Sequence, residues 1–154
     1  MSLEPLETAA GGDHPYCRQL SVFLENRLGQ LLRITRLFDS SEIRILAISV
    51  EGSVDCAIVR LIVDDPDTAH KMLSDAGFAL SEAEVVVVGL PFGKRGIMSV
   101  CGTLIAAEIN INYIYSMLPR GERGSCMVIH TDNLSQATES LRARKLVVYD
   151  QSDL

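Results

Sequence analysis

Apolar positions follow two different periods along the chain, in an order that repeats. Leu20, Val22 and Leu24 recur at every second position, as in a strand with one well-buried face. From Leu28 to about Ser41 the apolar residues recur at helical spacing instead. The pattern therefore opens with a strand followed by an amphipathic helix.

A β-hairpin and a second helix come next. Gly52 and Ser53 form the expected tight turn of the hairpin. Asp65 is placed to cap a helix whose first residue is Pro66, and Gly77 is a natural residue to end that helix. A short strand then closes the first half. The predicted strands are residues 44–51, 54–63 and 78–81.

The second half repeats this order. A continuous apolar strand runs from Val85 to Leu90, and a loop up to Gly96 precedes a helix that ends near Glu108. Asn133 and Gln136 have the spacing of a capping box at the start of the last helix. The other predicted strands are residues 111–118, 125–131 and 145–149.

These patterns predict an α+β chain of two tandem ferredoxin-like βαββαβ units. Each unit should be a four-stranded antiparallel sheet with two helices on one face. We expect a flexible leader at residues 1–16, a first unit at 17–83 and a second at 84–154, joined at Glu82-Ala83-Glu84 with almost no linker. Units of this size bury only about 60% of their surface alone, so side-by-side sheets or a homodimer are expected.

Composition excludes several classes of protein. The 154 residues are 47% hydrophobic and carry a formal charge of −6, and no apolar run approaches the about 20 residues that cross a bilayer. An acidic chain is not expected to bind nucleic acid through a basic surface. Only 5% of the residues are aromatic and none is Trp, so stacking platforms have little material. We expect no nucleic-acid partner and no membrane partner.

The cysteines and histidines do not suggest a metal site. Cys17, Cys56, Cys101 and Cys126 have no Cys-x-x-Cys pair, and the three histidines stand far apart. Cys56 and Cys126 lie in apolar strands, which favours buried free thiols over disulfides and a reducing compartment. The N-terminus lacks the features of a secretory signal, so a cytoplasmic protein is expected, with no metal and no cofactor.

The sequence contains no recognisable catalytic group. No context suggests a nucleophile activated by a base. Acylphosphatases share this topology, and Arg27 could match their anion-binding arginine, but the extra glycines of that loop are missing. RNA-recognition domains need aromatic residues on the third strand, which residues 56–61 lack. We therefore expect a protein that is not an enzyme.

The two halves resemble tandem ACT domains, the small-molecule-sensing modules of many amino-acid biosynthetic enzymes. The resemblance rests on the turn Asn26-Arg27-Leu28-Gly29-Gln30-Leu31 and the segment Glu42-Ile43-Arg44-Ile45. The second half offers Gly93-Lys94-Arg95-Gly96-Ile97 and Glu108-Ile109-Asn110-Ile111. Together with the repeated element order, the resemblance covers residues 17–154.

This resemblance implies a regulatory protein that binds a free amino acid at an interface between ACT units and acts in trans on metabolism, with a metabolic enzyme as the implied partner. The alternative is a ligand-free dimerisation or docking module that regulates a partner enzyme by contact. The implied ligand site lies at the turn after each first strand and at the start of each second strand. Its residues are Asn26, Arg27, Leu28, Gly29, Gln30, Arg44, Ile45, Lys94, Arg95, Gly96, Ile97, Asn110 and Ile111.

Several of these residues also have a purely structural interpretation. Gly29 and Gly96 can be helix-entry glycines with positive φ. Arg27, Lys94 and Arg95 can be ordinary solvated charges, and Asn110 a turn residue. Tyr113 and Tyr115 fall on one face of a strand, and we expect them to pack at a domain or subunit interface.

Overall fold

The structure is a computed structural model that describes residues 16–25, 28–119 and 121–154, with only the backbone of Glu122. Its helices are α1 (Gln30–Asp39), α2 (Pro66–Asp75), α3 (Gly96–Ala106) and α4 (Leu134–Ala143). Its strands are β1 (Cys17–Glu25), β2 (Ile45–Gly52), β3 (Cys56–Val63), β4 (Ala79–Gly89), β5 (Ile111–Ser116), β6 (Cys126–Thr131) and β7 (Val148–Tyr149). Short 3-10 turns occupy Gly121–Arg123 and Gln151–Asp153. The predicted leader falls almost entirely outside the described residues.

Local sequence signals place the second helix of each unit as predicted. The Asp65 side chain accepts a hydrogen bond from the Thr68 N–H at the start of α2, and Pro66 is the first helical residue. Gly77 follows the helix with a φ of 88°, a left-handed conformation that favours glycine. The Asn133 side chain accepts from the Gln136 N–H at the start of α4.

The middle of the chain corrects the predicted pair of short strands. Residues 79–89 form one continuous strand, β4. Its first part pairs antiparallel with β1 as far as Val85, and its last part pairs with β6 and β7. The polar segment around Glu82 pairs with β1 and continues the strand instead of forming a turn. The Glu82 carboxylate also accepts a hydrogen bond from Arg18 of β1, at 2.9 Å. The predicted boundary between residues 83 and 84 therefore lies inside a strand that both units share.

The strands form a single curled sheet with the order β2-β3-β1-β4-β6-β5, and β7 also pairs with β4. Each unit thus has the ferredoxin-like arrangement, with its first and third strands side by side. The two outer strands also approach each other: Ala47 of β2 forms a bridge with Met117, just after β5. The Leu118 N–H donates to the Leu46 carbonyl oxygen at 2.7 Å. Part of the edge of each outer strand is therefore paired within the chain.

Three apolar clusters hold this arrangement together. The first lies between the first-unit sheet and helices α1 and α2, and includes Leu20, Ile34 and Leu61. The second lies under α3 and α4, and includes Leu104 and Ile129. The third fills the space enclosed by the curled sheet, where the two units meet: Cys17, Leu46, Ala47, Ile62, Val85, Val87, Met117, Cys126 and Val128. Helices therefore cover the outer face of the curled sheet in each unit, and the inner faces of the two units pack against each other.

All four cysteines are free thiols, and their burial corrects one prediction. Cys126 is buried, as predicted, but Cys56 is exposed because it begins β3 beside the end of β1, where the sheet opens to solvent. Cys17 is buried in the third cluster, and burial raises the pKa of its thiol to about 12. This thiol is therefore protonated at neutral pH.

Candidate functional site

The four helices begin in two different ways. Both second helices, α2 and α4, have a side-chain cap, from Asp65 and Asn133. Gly29 directly precedes α1 and Arg95 directly precedes α3, and neither residue gives a side-chain hydrogen bond to its helix. The first turns of α1 and α3 also contain no acidic residue. Within the described residues, these two helix starts therefore have neither the side-chain cap nor the first-turn acidic residue that commonly stabilises a helix N-terminus.

A cleft of about 320 Å³ opens at the start of α3. Its charged lining residue is Lys94, and much of the rest is apolar side chain or glycine backbone. The lining residues are Leu90, Pro91, Phe92, Gly93, Lys94, Gly96, Ile97, Gly124 and Ser125. The cleft thus combines a cation, the start of a helix without a side-chain cap and an apolar wall. A carboxylate attached to an apolar group has the matching chemistry.

Two glycines shape this cleft for different reasons. Gly93 has a φ of 101°, which side chains rarely tolerate. Gly96 is buried in the first turn of α3 without a positive φ, and a Cβ there would lie 2.7 Å from the Pro91 carbonyl oxygen. The predicted positive φ at Gly96 is therefore wrong. A glycine is needed at this position for another reason: the loop crosses over the helix start and leaves no room for a side chain.

The structure brings together only part of the residue set predicted for the second unit. Lys94, Gly96 and Ile97 line the cleft, whereas Arg95 is the exposed residue that precedes α3. Asn110 donates to the side-chain oxygen of Asn112, at 3.0 Å, at the start of β5.

Asn110 and Ile111 lie at the far end of the second unit from this cleft. Ile111 pairs with Thr131 at the end of β6, whereas the cleft residue Ser125 precedes β6. Six strand residues span about 20 Å, so Asn110 and Ile111 are too distant to share a small ligand with Lys94 within this unit.

The first unit shows the same separation. Asn26 and Arg27 lie outside the described residues. Leu28 is fully exposed, and Gly29 has the positive φ, 87°, that was predicted for it. The side chain of Gln30 accepts a hydrogen bond from Arg33 one turn along α1, at 3.1 Å.

Arg44 and Ile45 lie at the other end of the first unit. Ile45 pairs with Val63 at the end of β3, whereas Glu25, just before the turn, pairs with Cys56 at its beginning. Arg44 is exposed, its N–H donates to the Asp64 carboxylate, and Ile45 packs on the first apolar cluster. β3 has eight residues, so the two parts of the predicted site are about 25 Å apart along the sheet.

A buried polar network joins the two units. Gln19 of β1 is fully buried, and its side-chain amide donates to the Tyr113 hydroxyl at 2.6 Å. The Tyr115 hydroxyl donates to the Gln19 amide oxygen at 2.7 Å. The prediction that both tyrosines pack at an interface is confirmed for the interface between the units. Burial raises the pKa of Tyr115 far above its ordinary value, so its hydroxyl stays protonated.

Arg60 extends this network toward solvent. Its guanidinium lies 3.9 Å from the centre of the Tyr113 ring and donates to Glu51 at 2.7 Å. Partial burial lowers the pKa of Arg60, but the hydrogen bond to Glu51 and the tyrosine beside it raise that pKa by more, so it ends above its ordinary value. The network is satisfied by its own members, which indicates a structural role.

The predicted site set missed Gln19 and six of the nine residues that line the cleft. Gln19 precedes the alternation that defines β1, so its burial depends on the second unit. Gly124 and Ser125 reach the cleft only because the Leu90 N–H donates to the Ser125 carbonyl oxygen, at 2.8 Å. That contact joins segments that are far apart in the sequence, so no local pattern predicts it. Phe92 could have been noticed as an aromatic residue in the loop that carries Lys94.

Two negative findings apply to the described part of the chain. Across residues 16–25, 28–119 and 121–154, no three His, Cys, Asp or Glu side chains are grouped closely enough to hold a metal ion. In the same ranges, no helix has the length and apolar character needed to span a bilayer.

The chain is similar to known proteins in both sequence and fold. A family model described as an ACT domain pair matches residues 16–154. The crystal structure of protein BT0572 from Bacteroides thetaiotaomicron is similar with a TM-score of 0.81 and 32% identity, over 90% of this chain and 94% of that one. Among curated proteins there is no match.

Two further solved structures are similar in fold. One contains the alpha and beta subunits of an aspartokinase, with a TM-score of 0.57 and 16% identity over 84% of this chain and 92% of that one. The other is the ligand-free regulatory subunit of aspartate kinase from Thermus thermophilus, with a TM-score of 0.57 and 14% identity, over 84% of this chain and 91% of that one. At these identities the likeness concerns the fold alone.

Proposed function

The chain belongs to the ACT domain family as a pair of ACT domains, and on that premise we propose that it is a non-catalytic regulatory protein that binds a free amino acid. Its site is the cleft at the start of α3. The ligand carboxylate lies against the first N–H groups of α3 and beside Lys94, and the ligand side chain contacts Leu90, Phe92 or Ile97. The protein acts in the cytoplasm, where its four free thiols persist.

The observation that carries this proposal is the helix start without a cap inside a cleft. In the same unit, α4 has a side-chain cap from Asn133, so its N–H groups already have a partner. Helix α3 has neither a side-chain cap nor an acidic residue in its first turn, and Lys94 adds a positive charge beside it. Both features favour an anionic group supplied by a ligand.

The regulated activity lies outside these two domains. The family match over residues 16–154 identifies a pair of ACT domains, and we expect this pair to act in trans on a metabolic enzyme. The role of an aspartate kinase regulatory subunit is an example of this kind of action. We also propose that the chain works as a homodimer, in which the open side of the cleft faces another ACT unit.

A thermal-shift panel of the common amino acids tests the proposal. A ligand present at 100 times its Kd stabilises the folded protein by about 2.7 kcal/mol, which corresponds to a shift of several degrees for a domain of this size. We expect one amino acid, or a chemically related group of them, to give such a shift. No shift with any amino acid at millimolar concentration would favour the alternative, a ligand-free docking module.

A matched pair of lysine variants locates the site. Lys94→Gln should weaken binding of the amino acid that gives the shift by about 10-fold, because a charge-assisted contact to its carboxylate is lost. Lys145→Gln is the control, since that exposed lysine lies beyond the end of α4. Equal affinities in the two variants would place the ligand elsewhere, as would a loss of affinity in Asn110→Ala.

A further inference from the structure

The outward face of α3 differs from those of the other helices. Its large apolar side chains there are more than half exposed: 56% for Ile97, 69% for Met98 and 68% for Ile105. None of the 11 residues of α3 is charged. Helices α1, α2 and α4 all carry charged residues. Phe92, in the loop just before α3, is 99% exposed and extends the apolar surface.

Gly102 is a second, independent feature of this face. It lies in the interior of α3, where glycine is unfavourable because it loses more conformational freedom than alanine. Its φ is not positive, and a Cβ added there would meet nothing within 4 Å. Nothing within the described chain therefore requires a glycine at this position. A helix from outside the chain would, because its backbone could approach closely at a residue without a side chain.

We propose that the α3 face, defined as Met98, Gly102, Ile105 and the adjoining Ile97 and Phe92, is the surface on which a second copy of this chain packs. The proposal rests on the homodimer in the proposed function and names its contact. Met98, Gly102 and Ile105 recur at spacings of four and three residues, so they share one side of the helix. Two copies of α3 then cross at Gly102.

Charge favours a second copy over a different partner. Two copies of a chain with a formal charge of −6 repel each other wherever acidic surfaces meet. A symmetric interface brings a surface against itself, so every charged residue near the axis would meet its own copy. Helix α3 carries no charge and avoids these like-charge contacts near Gly102, and the exposed Lys94 and Arg95 precede its first residue. Because Phe92 and Ile97 also line the cleft, the second copy would lie beside the bound amino acid.

Sedimentation equilibrium of the full chain tests the interface. We expect a dimer whose dissociation constant rises at least about 100-fold in Ile105→Glu, because two carboxylates become buried at the axis. Leu32→Glu is the matched control: Leu32 is 50% exposed on α1, a helix that carries charges, and the change should leave the dimer intact.

Gly102→Ala gives a readout that does not depend on inserting a charge. In the monomeric Ile105→Glu background, the added methyl should raise the Tm by about 2 °C, since alanine favours the helix. In the otherwise unchanged chain the same methyl should weaken the dimer about 10-fold, because it separates the two helices. Opposite signs in the two backgrounds support the contact at Gly102.

Each of the other outcomes overturns one part of the homodimer proposal. A wild-type chain that stays monomeric up to about 100 μM would overturn both the homodimer and its surface. A dimer that Ile105→Glu and Gly102→Ala leave unchanged would keep the homodimer and overturn the α3 contact. Amino-acid binding is measured separately by thermal shift, so a failure of the ligand proposal is distinguishable from either result.

Discussion

The two units of this chain share one topology but differ at the helix that follows their first strand. Helix α1 is directly preceded by Gly29, whose left-handed conformation favours glycine although the space around it is open. Helix α3 starts at Gly96, whose conformation is ordinary but whose surroundings leave no room for a side chain. Glycine thus serves backbone conformation in one unit and close packing in the other.

This difference has a consequence for function. At Gly96 the close packing comes from the loop of residues 90–95, which crosses over the helix start and forms one wall of a cleft with Lys94 in it. The surfaces of the two helices also differ, because α1 carries charged residues and α3 carries none. The two units are therefore not interchangeable, and the second is the unit in which we propose the ligand site and the partner surface.

The largest predicted effect tests whether units that differ this much still fold as one body. Gln19→Ala removes the hydrogen-bond partner of two tyrosine hydroxyls at the interface, so we expect a loss of about 3 kcal/mol in the free energy of unfolding. Gln30→Ala, at the half-buried first residue of α1, is the control and should change it by less than about 0.5 kcal/mol, because its side chain bonds to the exposed Arg33. Urea denaturation measures both. A loss under 1 kcal/mol for Gln19→Ala would mean that the network contributes little to joining the units.

The next prediction compares the two helix-entry glycines directly. Gly96→Ala should cost about 2–3 kcal/mol, because its Cβ meets a backbone carbonyl oxygen that cannot move without shifting the loop. Gly29→Ala should cost about 1 kcal/mol, since only the left-handed conformation is penalised. Equal costs in denaturant unfolding, or the reverse order, would contradict the distinction between conformation and packing.

A smaller effect distinguishes the caps of the second helices. Asp65→Ala and Asn133→Ala should each cost about 1 kcal/mol at neutral pH. The hydroxyl and N–H of Thr68 donate to the Asp65 carboxylate and hold its pKa below the ordinary value of 3.8. The stabilisation from this charged cap is therefore complete above that value and is lost as the pH falls through the lower, folded-state pKa.

The uncharged cap of the second unit provides the control for that pH dependence. Asn133 does not titrate, so the stability lost in Asn133→Ala should not depend on pH. The stability lost in Asp65→Ala should decrease as the pH drops below about 4. Thermal unfolding between neutral and acid pH measures both costs. The same dependence in the two variants would show that the acid effect arises elsewhere.

Much of this fold could be predicted because its signals are local. The periods of the strands and helices, the cap at Asp65 and the stop at Gly77 act within a few residues, and the structure confirms them. The continuous β4 could not be predicted, because the segment around Glu82 is polar like a linker. It becomes a strand through its pairing with β1 and its contact with Arg18, which are distant in the sequence.

The candidate site shows the same limit. Residues near Lys94 were predicted from a local resemblance, and the structure gives them a cleft. The predicted set also joined Asn110 to them, although the length of β6 separates the two within one unit. The first and second strands of a unit run parallel, so the end of the first strand lies far from the start of the second. This separation follows from the sheet order and not from any local sequence pattern. Whether either segment contacts a ligand stays a prediction.

The most direct test of the central claim is an NMR titration of the backbone amides with the amino acid that gives the largest thermal shift. We expect the largest chemical-shift changes at residues 92–98 and 124–125, around the start of α3, with small changes at residues 28–31. Changes concentrated at the first turn, at Asn110 or around Gln19 would contradict this placement of the site. The absence of changes with every amino acid in the panel would contradict the proposed function itself.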